Sequence, residues 1–262
     1  MGLANDDKRE RERRKTNTME VVGIIPARLA AVRLPNKPLL DIAGKPMIWW
    51  VWHNAKQAKT LSEVMVATPD EQIAEVVRGF GGIAMMTSPK HRSGTERLAE
   101  AAQNLSADII VNIQGDEPLM PPENIDAVAR PLLEDPTLPM SSLMCPATDE
   151  EKDKPTVVKV VVDRMGNALY FSRSRIPYPR EPAAPAIVYK HLGIYAYRRD
   201  FLLQYAAMEP TPLEQTEVLE QLRVLENGYR IRMVRVEQTS IGVDTEEDLN
   251  RVRAIIAQRQ GG

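Results

Sequence analysis

Arg28, Arg33 and Lys37 crowd one loop of this chain, and Asp116 and Asp244 each follow a short apolar run far from that loop. Cations so grouped could neutralise phosphates, and such a site would need carboxylates for a divalent metal elsewhere in the chain, for which Asp116 at the end of its buried run is well placed. Three cations would match a nucleoside triphosphate once a metal takes part of its charge. Gly23 and Gly44 lie nearby, but neither belongs to a GxGxxG or GxxxxGK[ST] pattern. Side chains, not backbone amides, must therefore meet the anion. The missing glycine fingerprint also argues against a nicotinamide-dependent dehydrogenase. On this stretch alone, a solvated basic surface accounts for the three cations equally well.

The elements around these residues follow from periodicity. VVGII, from Val21, is apolar and largely β-branched, the pattern of a fully buried strand, and Pro26 ends its ladder. A loop at the carboxyl end of such a strand sits where open α/β sheets bind ligands. Strands over 63–68, 83–86, 109–113 and 141–145 alternate with helices over 44–59, 71–80, 95–105 and 123–134. This predicts an α/β fold, a doubly wound, mainly parallel, Rossmann-like sheet. From about 146 to 198 the rhythm changes to extended pieces over 157–163, 168–171 and 188–197, read as a smaller β-rich lobe. Helices over 199–208, 213–227 and 245–260 and a strand over 230–236 complete the chain, with residues 20–262 as one domain. Trp49 and Trp50 point about 100° apart on a helix, so they cannot share the centre of one buried face.

The 262 residues, 43% hydrophobic and 27% charged, can bury a sizeable core. A net charge of −2 gives no global field for nucleic acid or membrane, so an anion site must be built locally. No run reaches the ~20 apolar residues of a bilayer span. The single Cys145 excludes an intrachain disulfide and fits a reducing compartment, hence a cytoplasmic location. Asp6 to Lys15 are consecutive charged residues without a following apolar segment, so residues 1–19 read as a solvated, disordered tail and not a secretory signal.

Several segments in register carry a family resemblance. IIPARLAAVRLPNKPL, TSPKHRSGTERLAE, IVNIQGDEPLMPPE, ALYFSRSRIPYPR, KHLGIYAYR, EQLRVLENG and VDTEEDLNRVR resemble, in this order, the sugar-acid cytidylyltransferases that use 3-deoxy-manno-octulosonate (Kdo). The resemblance runs from about Val21 to the end. It implies a fold of the nucleotide-diphospho-sugar transferase type, a homodimer, and transfer of CMP from CTP to Kdo for lipopolysaccharide synthesis.

The resemblance also implies residue roles. Asp116 and Asp244 would hold Mg2+, although a plain GDEP turn and a helix N-cap are their ordinary local uses. Ala27 and Arg28 would meet the cytosine and phosphate region, and Arg33 and Lys37 the triphosphate. Ser93, Gly94 and Thr95 would line the base and ribose, while SGT before a helix equally suits a cap. Arg173 would face the carboxylate of Kdo, with Gln114, His191, Tyr195, Glu220 and Gln221 around its hydroxyls. The catalytic set implied is Arg28, Lys37, Asp116 and Asp244, without a dedicated general base. The chain departs from the family at Ala31-Val32, where hydroxyl residues are common, and at Glu96, where aspartate is common. An amino-substituted Kdo or another nonulosonic acid as acceptor, and a non-catalytic nucleotide binder, are the competing expectations.

Overall fold

The structure, a computed structural model, describes residues 19–30, 34–181, 187–237 and 239–260. The charged tail over 1–18, Ala31-Val32 and Arg33 lie outside the described residues.

Strand β1 (Val21–Pro26) is apolar throughout because both of its faces are covered. Val21 and Ile25 enter a core with helices α1 (Met47–Ala55), α2 (Glu71–Gly79) and α4 (Pro122–Glu134). Val22 and Ile24 enter a second core on the other face. There they meet helices α3 (Gly94–Gln103), α5 (Arg199–Ala206) and α7 (Gln221–Glu226). Alternation along the strand thus feeds two layers of helices, the doubly wound arrangement.

Beside β1 lie β4 (Glu63–Thr68) and β6 (Ile109–Asn112), both parallel to it, and β5 (Ile83–Met86) extends the sheet past β4. Beyond β6 comes β10 (Tyr189–Arg198), antiparallel, then β7 (Met140–Pro146) and β11 (Ile231–Arg235). Strands β8 (Lys159–Val162) and β9 (Ala168–Ser172) form an antiparallel ribbon that joins the start of β10. The extended pieces expected after residue 146 therefore continue one nine-stranded sheet among the described residues, and β10 is the strand that the ribbon and the main sheet share.

Two sequence expectations change. The helix expected from residue 44 starts at Met47, because β2 (Asp41–Ile42) and β3 (Lys45–Pro46) pair around the left-handed Ala43 and Gly44. The helix expected over 213–227 is broken into α6 (Pro212–Glu217) and α7 by Val218, a β-branched residue at φ 53°. The Arg173 side chain captures the carbonyls of Glu217 and Val218, which a continuous helix would need as acceptors.

The last helix, α8 (Glu246–Gln260), buries Leu249, Val252 and Ile256 against Ile42, Met47 and Val243, with Trp50 packed at the edge. Trp50 also ties its indole N–H to the Ile42 carbonyl at 2.8 Å, while Trp49 turns aside and stacks on His53. This small third core brings the end of the chain onto the loop that follows β1.

Candidate active site

Two backbone anchors hold the loop leaving β1: Ala27 N–H donates to Ala67 O at 2.9 Å, and Leu29 N–H donates to the Asp70 carboxylate at 2.8 Å. Asn36 then takes the left-handed conformation at φ 56°, which asparagine tolerates, and starts a short 3-10 turn that presents Lys37. Asp116 arrives from the other side. The chain leaving β6 passes so close to Pro26 that a Cβ on Gly115 would stand 2.7 Å from the Pro26 carbonyl oxygen, so glycine is required there. Val243 N–H donates to Asp116 O at 2.9 Å and joins this turn to the segment before α8.

Thr245, not Asp244, caps α8: its hydroxyl accepts from Asp248 N–H, and Asp248 returns its carboxylate to the N–H groups of Thr245 and Asp244. The Asp244 carboxylate faces Lys37 instead. Lys37 Nζ donates to Asp116 Oδ2 at 2.9 Å, to Val243 O at 2.9 Å and to Asp244 Oδ1 at 3.1 Å. Burial alone would lower the Lys37 pKa, but Asp116 and then Asp244 outweigh it and hold it above the ordinary lysine value. Carboxylates separated by 127 residues of chain thus share one cation. A magnesium ion takes one or two protein carboxylates and completes its shell with substrate phosphates and water, so this donor pair fits it. Among the described residues, no cluster of three or more His, Cys, Asp or Glu offers a richer metal site.

A cleft of three joined cavities runs along this edge of the sheet. The first, about 360 Å³, is lined by Ala27, Arg28, Lys37, Ser93, Gly94 and Asp116. Arg97, for which the sequence offered no role beyond its place in SGTER, also lines it. Only 3% exposed, Arg97 donates to Thr87 Oγ1 and to Ser88 O, and burial, then the like charge of Arg28, holds its pKa below the ordinary value. Two neighbouring cations facing one cavity call for an anion between them. Ser93 Oγ is already used, accepting from Glu96 N–H as the cap of α3.

The second cavity, about 610 Å³, shares Gln114 and Asp116 with the first and adds Thr95, Asn112, Glu220 and Asp244. Thr95 Oγ1 donates to Glu220 at 2.8 Å. Gln114 Nε2 donates to the Gly193 carbonyl at 2.7 Å, where β10 bulges between Leu192 and Tyr195. The third cavity, about 460 Å³, continues past Tyr195 and Gln221 to His191 and Lys190. Burial depresses the His191 imidazole to about 3, so it is neutral, within 2.9 Å of Ser142 Oγ. Burial raises the Tyr195 phenol and keeps it protonated. Burial, then Asp116, pushes Glu117 between the two cavities up to about 7.

Among the described residues, Arg173 is the expected one that lines none of these three cavities. Its guanidinium donates to Glu217 O at 2.7 Å and to Pro155 O and Val218 O at 3.2 Å, and its N–H donates to the Glu217 carboxylate. Lys190, paired with Glu151 at 2.5 Å, is the cation in the third cavity. Only its position beside His191 in KHLGIYAYR could have drawn attention to it.

A doubly wound sheet with cations in one cavity, polar groups in the next and two shared carboxylates where they meet defines a nucleotidyltransferase. The cytidylyltransferase family model matches residues 22–232, and the chain belongs to that family. It is 51% identical over 245 residues to a 3-deoxy-manno-octulosonate cytidylyltransferase of Syntrophotalea carbinolica, covering 90% of this chain and 98% of that one. With a protein of the same name from Pelobacter propionicus it shares 52% over 246 residues, 90% and 96% of the two chains. A solved CMP:2-keto-3-deoxy-manno-octonic acid synthetase in complex with CTP superposes with a TM-score of 0.88 at 46% identity, over 92% of this chain and 99% of that one.

Proposed function

We propose that this enzyme transfers CMP from CTP to Kdo and releases pyrophosphate. The carrying observation is the junction at Lys37: Asp116 and Asp244 meet one cation where the cation-lined cavity opens into the polar one. The relatives named for this activity support the choice of substrates. Arg28, Lys37 and Arg97, with Arg33 from the same loop, hold the triphosphate, while the Ser93-Gly94-Thr95 turn borders the base and ribose. The sugar acid lies over Gln114, Tyr195, Glu220 and Gln221, with His191 and Lys190 at its far end. Arg173 serves it indirectly, by holding the turn that carries Glu220 and Gln221.

The anomeric hydroxyl of Kdo attacks the α-phosphorus in line; a bond from that oxygen to phosphorus forms, the hydroxyl proton is released to water, and the bond to the bridging oxygen of pyrophosphate breaks. Positioning and charge stabilisation carry the acceleration. Lys37 and Arg28 steady the leaving pyrophosphate. Magnesium on Asp116 and Asp244, when bound, supplies Lewis acidity and neutralises phosphate charge. A cytoplasmic homodimer completes the proposal, the contact being the β8–β9 ribbon whose Met165 and Leu169 stand exposed. CTP labelled at its α-phosphorus tests the reaction: the label must end on a sugar-acid nucleotide, and an acceptor panel separates Kdo from amino-substituted or other nonulosonic acids. Label that stays in CTP with every acceptor would leave a nucleotide-binding protein without catalysis.

A further inference from the structure

Asn112 ends β6 in the middle of the sheet, paired in register with Ile24 of β1 on one side and Tyr195 of β10 on the other. Ile110, two residues earlier on the same face, is fully buried in the apolar core. Asn112 is itself only 5% exposed, lines the second cavity, and has no hydrogen-bond partner for its Oδ1 among the described residues. A buried acceptor without a donor is costly, and a strand end that needed only bulk would hold an apolar residue. The side chain is also fixed in direction. Burial raises the Tyr197 phenol well above its ordinary value and a hydrogen bond with the Asn112 side chain opposes that rise; since Oδ1 has no partner, the amide nitrogen makes that bond and the carbonyl oxygen is left for the cavity.

The chemistry of the surroundings restricts the guest. A carbonyl oxygen cannot receive a phosphate or a carboxylate, both of which are acceptors at neutral pH. Those groups have cations along the cleft, Arg28, Lys37 and Arg97 in the first cavity, Lys190 in the third, and Arg92, which is exposed, at the rim of the second. Between them the second cavity gathers Asn112 with Tyr195, Gln114 and Glu220, groups suited to neutral hydroxyls. We propose that Asn112 Oδ1 accepts a hydrogen bond from one hydroxyl of the sugar acid and makes that hydroxyl a specificity determinant. This deepens the functional reading above and rests on it. A site built around such a bond rejects an acceptor that lacks the hydroxyl, because the buried oxygen is then left unpaired.

The test uses the full-length enzyme, CTP, magnesium, and Kdo or its monodeoxy analogues, each lacking in turn one hydroxyl other than the anomeric nucleophile. With the wild-type enzyme, one analogue should lose roughly 10- to 100-fold in kcat/KM, the size expected for an unpaired buried acceptor. Asn112→Leu should show a similar loss on Kdo with the KM for CTP unchanged, and should turn over that same analogue no worse than wild type does. Losses that multiply for every analogue would overturn the proposal. So would wild-type rates within about threefold of the Kdo rate for every analogue, the pattern expected if a buried water satisfies Asn112. This arm needs no variant and stands even if Asn112→Leu fails to fold. Absence of turnover on Kdo itself would instead remove the functional reading on which the inference stands.

Discussion

Lys37 holds Asp116 and Asp244 together through one ammonium group, so the three residues should fail differently when replaced. Asp116→Ala removes one carboxylate of the pair that fits magnesium, and pyrophosphate release should fall by roughly 10³-fold. Full activity of Asp116→Ala in magnesium would refute the metal assignment. Lys37→Ala should keep metal dependence but raise the KM for CTP. At this scale the sequence was informative about type and silent about partnership. Asp116 stood out by its position after a buried run, whereas Asp244 read locally as a helix cap. Its release from that duty depends on Thr245 and Asp248 making the cap between them. Arg97 and Asn112 were missed because a buried arginine in a helix and an asparagine at a strand end have no periodic signature.

Two elements shape the cleft, one on each side. The turn between α6 and α7 holds Val218 at φ 53°, a conformation costing about 1–2 kcal/mol for an L-residue. Arg173 keeps it there through the carbonyls of Glu217 and Val218. Arg173→Ala should therefore raise the KM for Kdo about tenfold, ~1.4 kcal/mol of sugar binding. Val218→Gly should leave stability within ~1 kcal/mol, since relief of strain and the flexibility of glycine oppose each other. Combined, the two changes should raise KM less than Arg173→Ala alone, because glycine keeps the turn without the arginine. An equal increase in the double variant would mean that Arg173 touches the sugar directly. Element α8 acts on the other side. Leu249→Ala should cost about 2–5 kcal/mol of stability by emptying the third core. It should also weaken magnesium-dependent turnover, because α8 positions Asp244; thermal unfolding and a magnesium titration check the two effects. Periodicity predicted β4 and β5 to the residue and placed most other elements within a few positions. It could not foresee the break at Val218, where the Arg173 side chain, just past the end of β9, overrides a good local helix pattern.

Over the whole molecule, the cleft lies where β1 and β6 end and the antiparallel β10 passes, a place no local pattern specifies. The alternation of strands and helices gave the parallel half of the sheet. The strand order, and the insertion of β10 between β6 and β7, are set by partners distant in sequence. Closure of the site from residues 37, 116 and 244 was likewise legible only through the family resemblance. Titration of the molecule carries the imprint of the same burial. His191 binds its proton near 3 when folded and near 6.5 when exposed, so between these values the unfolded chain holds more protons and stability falls as pH drops. Lys37 has the opposite sign: its raised pKa contributes stability that is present below the ordinary lysine value and is lost as pH rises through the folded one. Unfolding midpoints of His191→Gln should accordingly decline less steeply in acid than those of wild type; parallel curves would contradict the burial argument.

The central claim is that this cleft joins CTP to Kdo, and pyrophosphate release from CTP with magnesium, measured with and without Kdo, tests it most directly. The account predicts release that requires Kdo and stops in Asp116→Ala. Release that is independent of Kdo, or none in its presence, would contradict it.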